Sequence, residues 1–168
     1  MIDDCTAIVL AGGESRRMGC DKATFQLDGQ TLLNRVLAIV QPLFPCVLVS
    51  VHQPRLDIDW PQIVDPHDAA GPLAGLCAWL AHASTERTAW IFAVATDMPF
   101  VKPALIEHLA RRRDNVQAVI PVVQGHPQAL AGFYSATCLE TFQTVLAGNG
   151  KHSLRSARQQ RDVCSVDE

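Results

Sequence analysis

The stretch AIVLAGGESRRMGCDK, residues 7 to 22, places a short apolar run directly before a pair of glycines and three cations. The apolar run has the length and composition of a buried β-strand. A strand that ends at the carboxyl edge of a parallel sheet ends where α/β folds bind their ligands. Gly12 and Gly13 allow a sharp turn with accessible backbone N–H groups. Positive charge follows from Arg16, Arg17 and Lys22. The stretch therefore predicts a loop that binds a polyphosphate.

The glycine spacing excludes the two well-known phosphate fingerprints. GxxxxGK[ST] needs a lysine directly after its last glycine, and GxGxxG needs a glycine two positions after the first. Gly12, Gly13 and Gly19 fit neither pattern. The alternative is a tight turn with a solvated basic face. Three cations beside such a turn repel one another unless an anion lies among them, which favours the polyphosphate interpretation.

Short β-branched runs alternate with segments of helical period along the whole chain. This alternation is typical of βαβ units with a mostly parallel sheet between helices. Two neighbouring strands around residues 124–128 are close enough in sequence to be antiparallel, which would make the sheet mixed. The strands are predicted at residues 7–10, 47–51, 62–64, 89–95, 118–123 and 129–134, and the helices at residues 31–40, 73–83, 103–112 and 136–147.

Composition excludes several classes of protein. A formal net charge of -3 argues against a polycationic nucleic-acid binder. Six cysteines lie scattered without a CxxC pair, so we expect buried free thiols and neither a disulfide framework nor a zinc site. The N-terminus has no pattern of a secretion signal, and no segment is apolar enough to span a membrane. We therefore expect a cytoplasmic protein without a nucleic-acid or membrane partner.

The segment LAGGESRRMGCDK, residues 10–22, resembles the signature loop of the nucleotidyltransferases that act on the molybdenum cofactor, the MobA-like family. Its LAGG opening is similar to the guanylyltransferase branch, whereas the cytidylyltransferase branch usually opens LAAG. The resemblance implies an α/β fold, a Rossmann-like three-layer sandwich with a mostly parallel, mixed sheet, in a single nucleotidyltransferase domain over residues 1–168. It also implies that the loop wraps the GTP triphosphate, with Lys22 on the phosphates and nucleotide contacts from Leu10, Ala11, Gly12 and Gly13.

The segment WIFAVATDMPF, residues 90–100, predicts a buried strand that ends in the carboxylate of Asp97. A carboxylate that faces a triphosphate would repel it unless a divalent cation lies between them. Asp97 could instead cap the next helix, but Pro103 places the start of that helix too far along the chain. The resemblance includes an Asp-x-Pro motif at this place, which implies that Asp97 contacts the nucleotide and holds Mg²⁺.

Two further segments are similar to family motifs. In VDPHDAAGPLAGL, residues 64–76, the resemblance implies a nucleotide contact at Asp65 and a candidate contact at Gly75. An ordinary turn aspartate is the alternative for Asp65. GHPQALAGFY, residues 125–134, is similar to the strand that lines the second-substrate side of the family site, so His126 is a candidate phosphate partner.

The chain departs from the family at two places. The family commonly has a nucleotide-binding asparagine where this sequence has Ser50. A serine hydroxyl has one donor and can replace only part of the hydrogen bonding of an amide. The resemblance therefore implies a nucleotide contact at Ser50 but leaves open which base is selected. Relatives usually continue beyond their last strand into a final helix, whereas this chain ends at DVCSVDE, so we expect the last helix to be missing. Asp167 aligns with a second site position and is therefore a second candidate metal ligand.

The implied reaction is transfer of GMP from GTP to the terminal phosphate of molybdopterin or its molybdenum-loaded form, with release of pyrophosphate. The acceptor phosphate is already an anionic nucleophile, so no general base is needed. Catalysis would then depend on alignment and charge neutralisation by Asp97 with Mg²⁺ and by Lys22, Arg16 and Arg17. Molybdoenzymes or their maturation factors are candidate partners. The alternatives are a CTP-dependent cytidylyltransferase, a sugar-1-phosphate nucleotidyltransferase, and a non-catalytic nucleotide-binding protein in molybdoenzyme maturation.

Overall fold

The structure is a computed structural model that describes residues 1–11, 23–64, 72–85, 88–147 and 163–167. All ten predicted strands and helices are present, with ends that differ from the predicted ones by no more than two residues. The strands are β1 (Cys5–Leu10), β2 (Gln26–Leu27), β3 (Gln30–Thr31), β4 (Cys46–Val51), β5 (Gln62–Val64), β6 (Trp90–Ala95), β7 (Ala118–Val123), β8 (His126–Pro127), β9 (Ala131–Ser135) and β10 (Val163–Asp167). The helices are α1 (Leu32–Val40), α2 (Pro72–Thr85), α3 (Pro103–Ala110) and α4 (Cys138–Ala147).

The central sheet is mixed and mostly parallel, as predicted. Its strand order is β10-β7-β9-β6-β1-β4-β5, and β8 pairs with β7 outside this path. Strand β9 runs antiparallel to both β6 and β7, and β8 forms an antiparallel hairpin with β7. The other neighbours in the order are parallel pairs. The carboxyl ends of β1, β4, β5, β6, β7 and β10 therefore share one edge of the sheet.

Helices cover both faces of the sheet, which confirms the three-layer sandwich. Along β1, Ala7 and Val9 belong to the core beneath α1 and α3, while Ile8 belongs to the core beneath α2 and α4. This division follows from the two-residue period of a strand. Helix α1 buries residues at helical spacing against the first face, namely Leu33, Val36, Leu37 and Val40.

Two of the helix starts have recognisable start chemistry. The hydroxyl oxygen of Thr31 accepts a hydrogen bond from the Asn34 N–H at 3.1 Å, which satisfies one of the donors left open in the first turn of α1. Pro103 begins α3, and Lys102 occupies the N-cap position. Asp97 therefore does not cap α3, which agrees with the prediction made from the position of Pro103.

The five cysteines in the described part of the chain are free thiols. Cys5, Cys77 and Cys138 are buried, as expected, but Cys46 is exposed because it is the first residue of β4, ahead of the buried run. The described residues include no group of three or more potential metal ligands. Among the described helices, none is both long and apolar enough to cross a membrane.

We expect iodoacetamide to label Cys46 much faster than Cys77 or Cys138 in the native protein at pH 8. The thiolate is the reactive form, and burial raises the pKa of Cys77 to about 11 and that of Cys138 to about 12. At pH 8 the thiolate fraction of Cys77 is then on the order of 10⁻³. Peptide mapping by mass spectrometry measures the labelling, with denatured protein as the control. Equal labelling of all three in the native state would contradict the expectation.

Candidate active site at the carboxyl edge of the sheet

Backbone hydrogen bonds join four strand ends into one row at the carboxyl edge. The Ala11 N–H donates to the Ser50 carbonyl at 2.9 Å, and the Thr96 N–H donates to the Leu10 carbonyl at 3.3 Å. The Ala95 N–H donates to the Leu130 carbonyl at 3.0 Å, just before β9. The structure thus brings Ser50 next to Leu10 and Ala11, so that three predicted nucleotide-binding residues from two distant parts of the chain lie together.

Asp97 lies at the same edge, in the turn that follows β6. Leu10 on β1 pairs with Ala95 on β6, and the Thr96 N–H donates to the Leu10 carbonyl, so Asp97 comes directly after the last contact between these two strands. The Met98 N–H closes the turn onto the Ala95 carbonyl at 3.1 Å. Asp97 is exposed, whereas Met98 and Val101 pack against the core beneath α1 and α3. The turn therefore holds an exposed carboxylate next to the strand from which the glycine-rich loop departs.

Ser50 is completely buried at the end of β4. It pairs with Leu10 on β1 and with Ile63 on β5, and both partners pack against the core beneath α2 and α4. Its carbonyl accepts the Ala11 N–H, so its backbone holds the first residue after β1. Contact between its hydroxyl and a nucleotide stays a prediction.

Asp167 is the last residue of β10 and pairs with Val122 on β7. Strands β9 and β7 lie between β6 and β10. Three strand spacings separate β10 from β6, or about 14 Å where the strands are level. Magnesium binds carboxylate oxygens at about 2.1 Å, so one ion reaches both aspartates only if the Asp97 turn leans towards β10. The side chain of Asp167 lies outside the described part of the structure, and its metal role stays a prediction.

Several predicted site residues fall outside the described residues. The structure does describe the positions where the glycine-rich loop begins and ends: Ala11 and Ala23 are both buried in the core beneath α1 and α3. It also describes Val64, the last residue of β5, directly before the predicted Asp65 contact. The residues outside the described part are Gly12, Gly13, Arg16, Arg17, Lys22 and Asp65.

Gly75 is needed for packing inside α2. A Cβ atom at this position would lie 3.0 Å from Cζ2 of Trp79, whose indole covers the glycine. Trp79 is 1% exposed and belongs to the core beneath α2 and α4. This close approach explains why a glycine occupies position 75 without any contact to a ligand. The nucleotide contact predicted for Gly75 stays a prediction.

Substitution of Gly75 by alanine is expected to destabilise the fold by up to about 2 kcal/mol. Overpacking a core usually costs about 1–3 kcal/mol, and the helix-propensity gain from Gly to Ala returns about 1 kcal/mol. Urea unfolding measures the change in the free energy of unfolding. In a Trp79→Leu background the indole is gone, so the same substitution should cost less than in the wild type. An undiminished cost in that background would contradict the packing explanation.

His126 is exposed at the start of β8, in a hairpin with β7. Gln124 and Gly125 form the turn with φ angles of 50° and 74°, and the Gln128 side-chain amide donates to the His126 carbonyl at 3.1 Å. The hairpin extends the carboxyl edge on the side of the sheet that carries β7 and β10. A phosphate contact by His126 stays a prediction.

The small β2–β3 hairpin, which follows the glycine-rich segment in the chain, was not predicted from the sequence. Its turn is Asp28-Gly29, with φ angles of 51° and 77°. Positive φ at both central residues is the mark of a two-residue hairpin turn, and Asp-Gly is among its strongest sequence signals. The Asp-Gly dipeptide therefore predicts a hairpin turn at this place. The two strands around it have only two residues each, which is too short to show an alternation of apolar and polar residues.

Comparison with known proteins agrees with this geometry. The sequence profile of the MobA-like NTP transferase domain matches residues 7–163. The molybdenum cofactor guanylyltransferase of Desulfosudis oleivorans is 33% identical over 171 aligned positions, which cover 99% of this chain and 83% of that protein.

Two solved structures extend the comparison to the fold. Molybdopterin-guanine dinucleotide biosynthesis protein A of Archaeoglobus fulgidus superposes with a TM-score of 0.79 at 25% identity, over 96% of this chain and 83% of that one. A Mycobacterium tuberculosis protein crystallised in complex with manganese has the same fold, with a TM-score of 0.67 at 16% identity over 98% of this chain and 87% of that one. The sequence match, supported by the shared fold, shows that this chain is a nucleotidyltransferase and belongs to the MobA-like NTP transferase family.

Proposed function

We propose that this protein transfers GMP from GTP to the terminal phosphate of molybdopterin or molybdenum-molybdopterin, forming the guanine dinucleotide cofactor and pyrophosphate. The observation that carries the proposal is the hydrogen bond between the Thr96 N–H and the Leu10 carbonyl. It puts the exposed Asp97 carboxylate beside the strand end that leads into the LAGG loop. The name of the Desulfosudis relative supports GTP and the molybdenum cofactor as substrates.

The chain's own residues act by binding and alignment. The backbone at Leu10 and Ala11, continued by Gly12 and Gly13, would receive the nucleotide. The leaving pyrophosphate carries several negative charges, and fixed cations that meet this charge lower the barrier to its departure. That role belongs to Arg16, Arg17 and Lys22. No side chain has to remove a proton, since the acceptor phosphate is already an anion.

The residues at the edge are chemically suited to a divalent cation. Magnesium is usually bound by one or two carboxylates together with substrate phosphates and water, and seldom by a cage made only of protein groups. An exposed Asp97, with no group of three metal-ligating side chains among the described residues, fits that pattern. Mg²⁺ held there would neutralise phosphate charge. The manganese complex of the Mycobacterium neighbour supports a divalent cation in this fold.

The test is pyrophosphate release on mixing the protein with Mg²⁺, anaerobically prepared molybdopterin and one nucleoside triphosphate at a time. We expect release with GTP and formation of the guanine dinucleotide. Preference for CTP would replace the proposed substrate with that of the cytidylyltransferase branch. Transfer to a sugar 1-phosphate would replace the acceptor. Binding of GTP without pyrophosphate release would favour a non-catalytic nucleotide-binding protein.

We further propose that residues 1–168 work as one nucleotidyltransferase domain in the cytoplasm. The free thiols among the described cysteines support a reducing compartment, because disulfides are rare there. Molybdoenzymes or their maturation factors are the proposed recipients of the product. Co-purification of the product with an apo-molybdoenzyme in the presence of this protein tests that last step.

A further inference from the structure

The β2–β3 hairpin cannot be stable on its own. It has two residues in each strand and forms a two-stranded sheet separate from the central one. Isolated hairpins are marginal in water even when they are longer, so this one depends on contacts with other elements. It begins three residues after Ala23, which is buried in the core and follows Lys22 directly in the chain.

Arg35 on helix α1 supplies the main side-chain contact to the hairpin. Its Nε and Nη2 atoms donate to the Leu27 carbonyl at 3.1 and 2.6 Å, and Nη2 also donates to Oδ2 of Asp28 at 3.1 Å. At the other end of the hairpin, the Leu32 N–H donates to the Phe25 carbonyl at 2.9 Å. Helix α1 therefore holds both the turn and the base of the hairpin.

The two contacts of the guanidinium differ in strength. The Asp28 side chain is 80% exposed, and ion pairs in such positions contribute little because water and salt screen them. The Arg35 side chain is only 21% exposed, and its bond to the Leu27 carbonyl is both charge-assisted and partly buried. The carbonyl contact is therefore the one that anchors the hairpin.

Helix α1 is itself fixed to the central sheet through Leu33, Val36 and Leu37, which are buried in the same core as Ala23. The glycine-rich loop is thus tied at its first end by β1 and at its second end by Ala23 and the hairpin. A shift of the hairpin would pull on the chain at Ala23 and so move the adjacent lysine. The contact between Arg35 and the Leu27 carbonyl opposes this shift.

We infer that Arg35 is a positioning residue for triphosphate binding. It acts through the hairpin and Ala23 on the place of Lys22, and it touches no reacting atom. The inference rests on the proposed role of residues 10–22 as the triphosphate loop. A displacement of about 1 Å in a charged group can cost on the order of 10² in rate, even when the substitution is far from the chemistry.

The test compares Arg35→Gln with Arg55→Gln. The Arg55 side chain is 22% exposed and pairs through Nε and Nη2 with Asp57 at 3.1 and 2.6 Å, on the segment between β4 and β5. The control thus removes a guanidinium of similar exposure that pairs with a carboxylate of its own segment. Isothermal titration with GTP and Mg²⁺ at 25 °C measures the dissociation constant, and thermal melting measures stability.

We expect Arg35→Gln to raise the dissociation constant of GTP on the order of 10- to 100-fold, which is about the loss that corresponds to one misplaced charge-assisted hydrogen bond. Arg55→Gln should leave the dissociation constant of GTP unchanged. The two variants should differ in this constant also when they melt at similar temperatures. Hydrogen exchange at the Leu32 amide should speed up only in Arg35→Gln. Asp28→Asn keeps a residue that tolerates positive φ and removes only the exposed ion pair, so its GTP affinity should match the wild type. Arg35→Lys, which can still donate to the Leu27 carbonyl, should restore part of the affinity.

Each outcome decides the inference. If the wild type binds GTP and Arg35→Gln binds it equally well, the inference is wrong and the proposed function stands. An equal loss of affinity in Arg55→Gln would also overturn it, because the effect would then be general destabilisation. If the wild type binds no nucleoside triphosphate, the proposed function fails and the inference fails with it. Should Arg35→Gln not fold, Arg35→Lys takes its place: it loses one of the two donors to the Leu27 carbonyl, so unchanged GTP affinity together with faster exchange at the Leu32 amide would overturn the inference.

Discussion

Replacement of Asp97 by asparagine is expected to lower the turnover number for GMP transfer on the order of 10²- to 10³-fold, the usual cost of removing one preorganised group that stabilises charge in a transition state. Asparagine has nearly the same shape, and Asp97 lies in an exposed turn, so the fold should be unaffected. The carboxylate charge that would hold Mg²⁺ beside the triphosphate is lost. The half-saturating Mg²⁺ concentration should therefore rise together with the fall in turnover.

The matched control is Asp114→Asn. Asp114 is also exposed, but it lies between α3 and β7, at the opposite edge of the sheet from Asp97. Its replacement should leave turnover and Mg²⁺ dependence unchanged. Initial rates of pyrophosphate release over a Mg²⁺ series measure both quantities. Turnover of Asp97→Asn close to that of the wild type would remove Asp97 from the proposed mechanism.

Replacement of Lys22 by alanine is expected to cost on the order of 10² to 10³ in turnover, because a fixed cation beside the departing pyrophosphate would be lost. Lys22 directly precedes Ala23, which is buried in the core, so one neighbour of the lysine has a well-defined place in the fold. Deletion of the side chain removes charge without disturbing that anchor. Single-turnover pyrophosphate release at saturating GTP separates the loss in the chemical step from weaker binding.

Lys102→Ala provides the control for general loss of positive charge at this edge of the sheet. Lys102 is exposed and follows Asp97 by five positions, and its side chain forms no capping bond at the start of α3. Its replacement should change neither turnover nor stability. Lys22→Ala with turnover similar to that of Lys102→Ala would show that the proposed triphosphate role of the lysine is wrong.

The central strands and helices could be predicted because their signals are local. Strand β1 alternates between the two cores, and α1 carries its apolar residues at helical spacing after a threonine cap. The elements that were missed have weak local signals. Strands β2, β3 and β8 have two residues each, which is too short for any periodicity, and they depend on pairing partners instead.

The candidate site was predictable only in part. Asp97 was identified as a strand-end carboxylate, and the structure places it beside the end of β1. The complete burial of Ser50 and the packing of Trp79 on Gly75 could not be read from local pattern, because each depends on a neighbour brought close by folding. The same is true of the contact between Arg35 and the Leu27 carbonyl, which joins a helix to a hairpin turn.

The sequence by itself determined the alternation of strands and helices, the glycine-rich loop with its cations, and the carboxylate at the end of a buried strand. These follow from periodicity and turn chemistry within a few residues. Only the tertiary structure decided that β6 lies next to β1, so that Thr96 bonds to Leu10 and Asp97 follows beside the end of β1, and that β10 lies three strands from β6. The order of strands in the sheet depends on how both faces of the sheet pack against the helices. This packing involves residues far apart in sequence, so no local pattern predicts it.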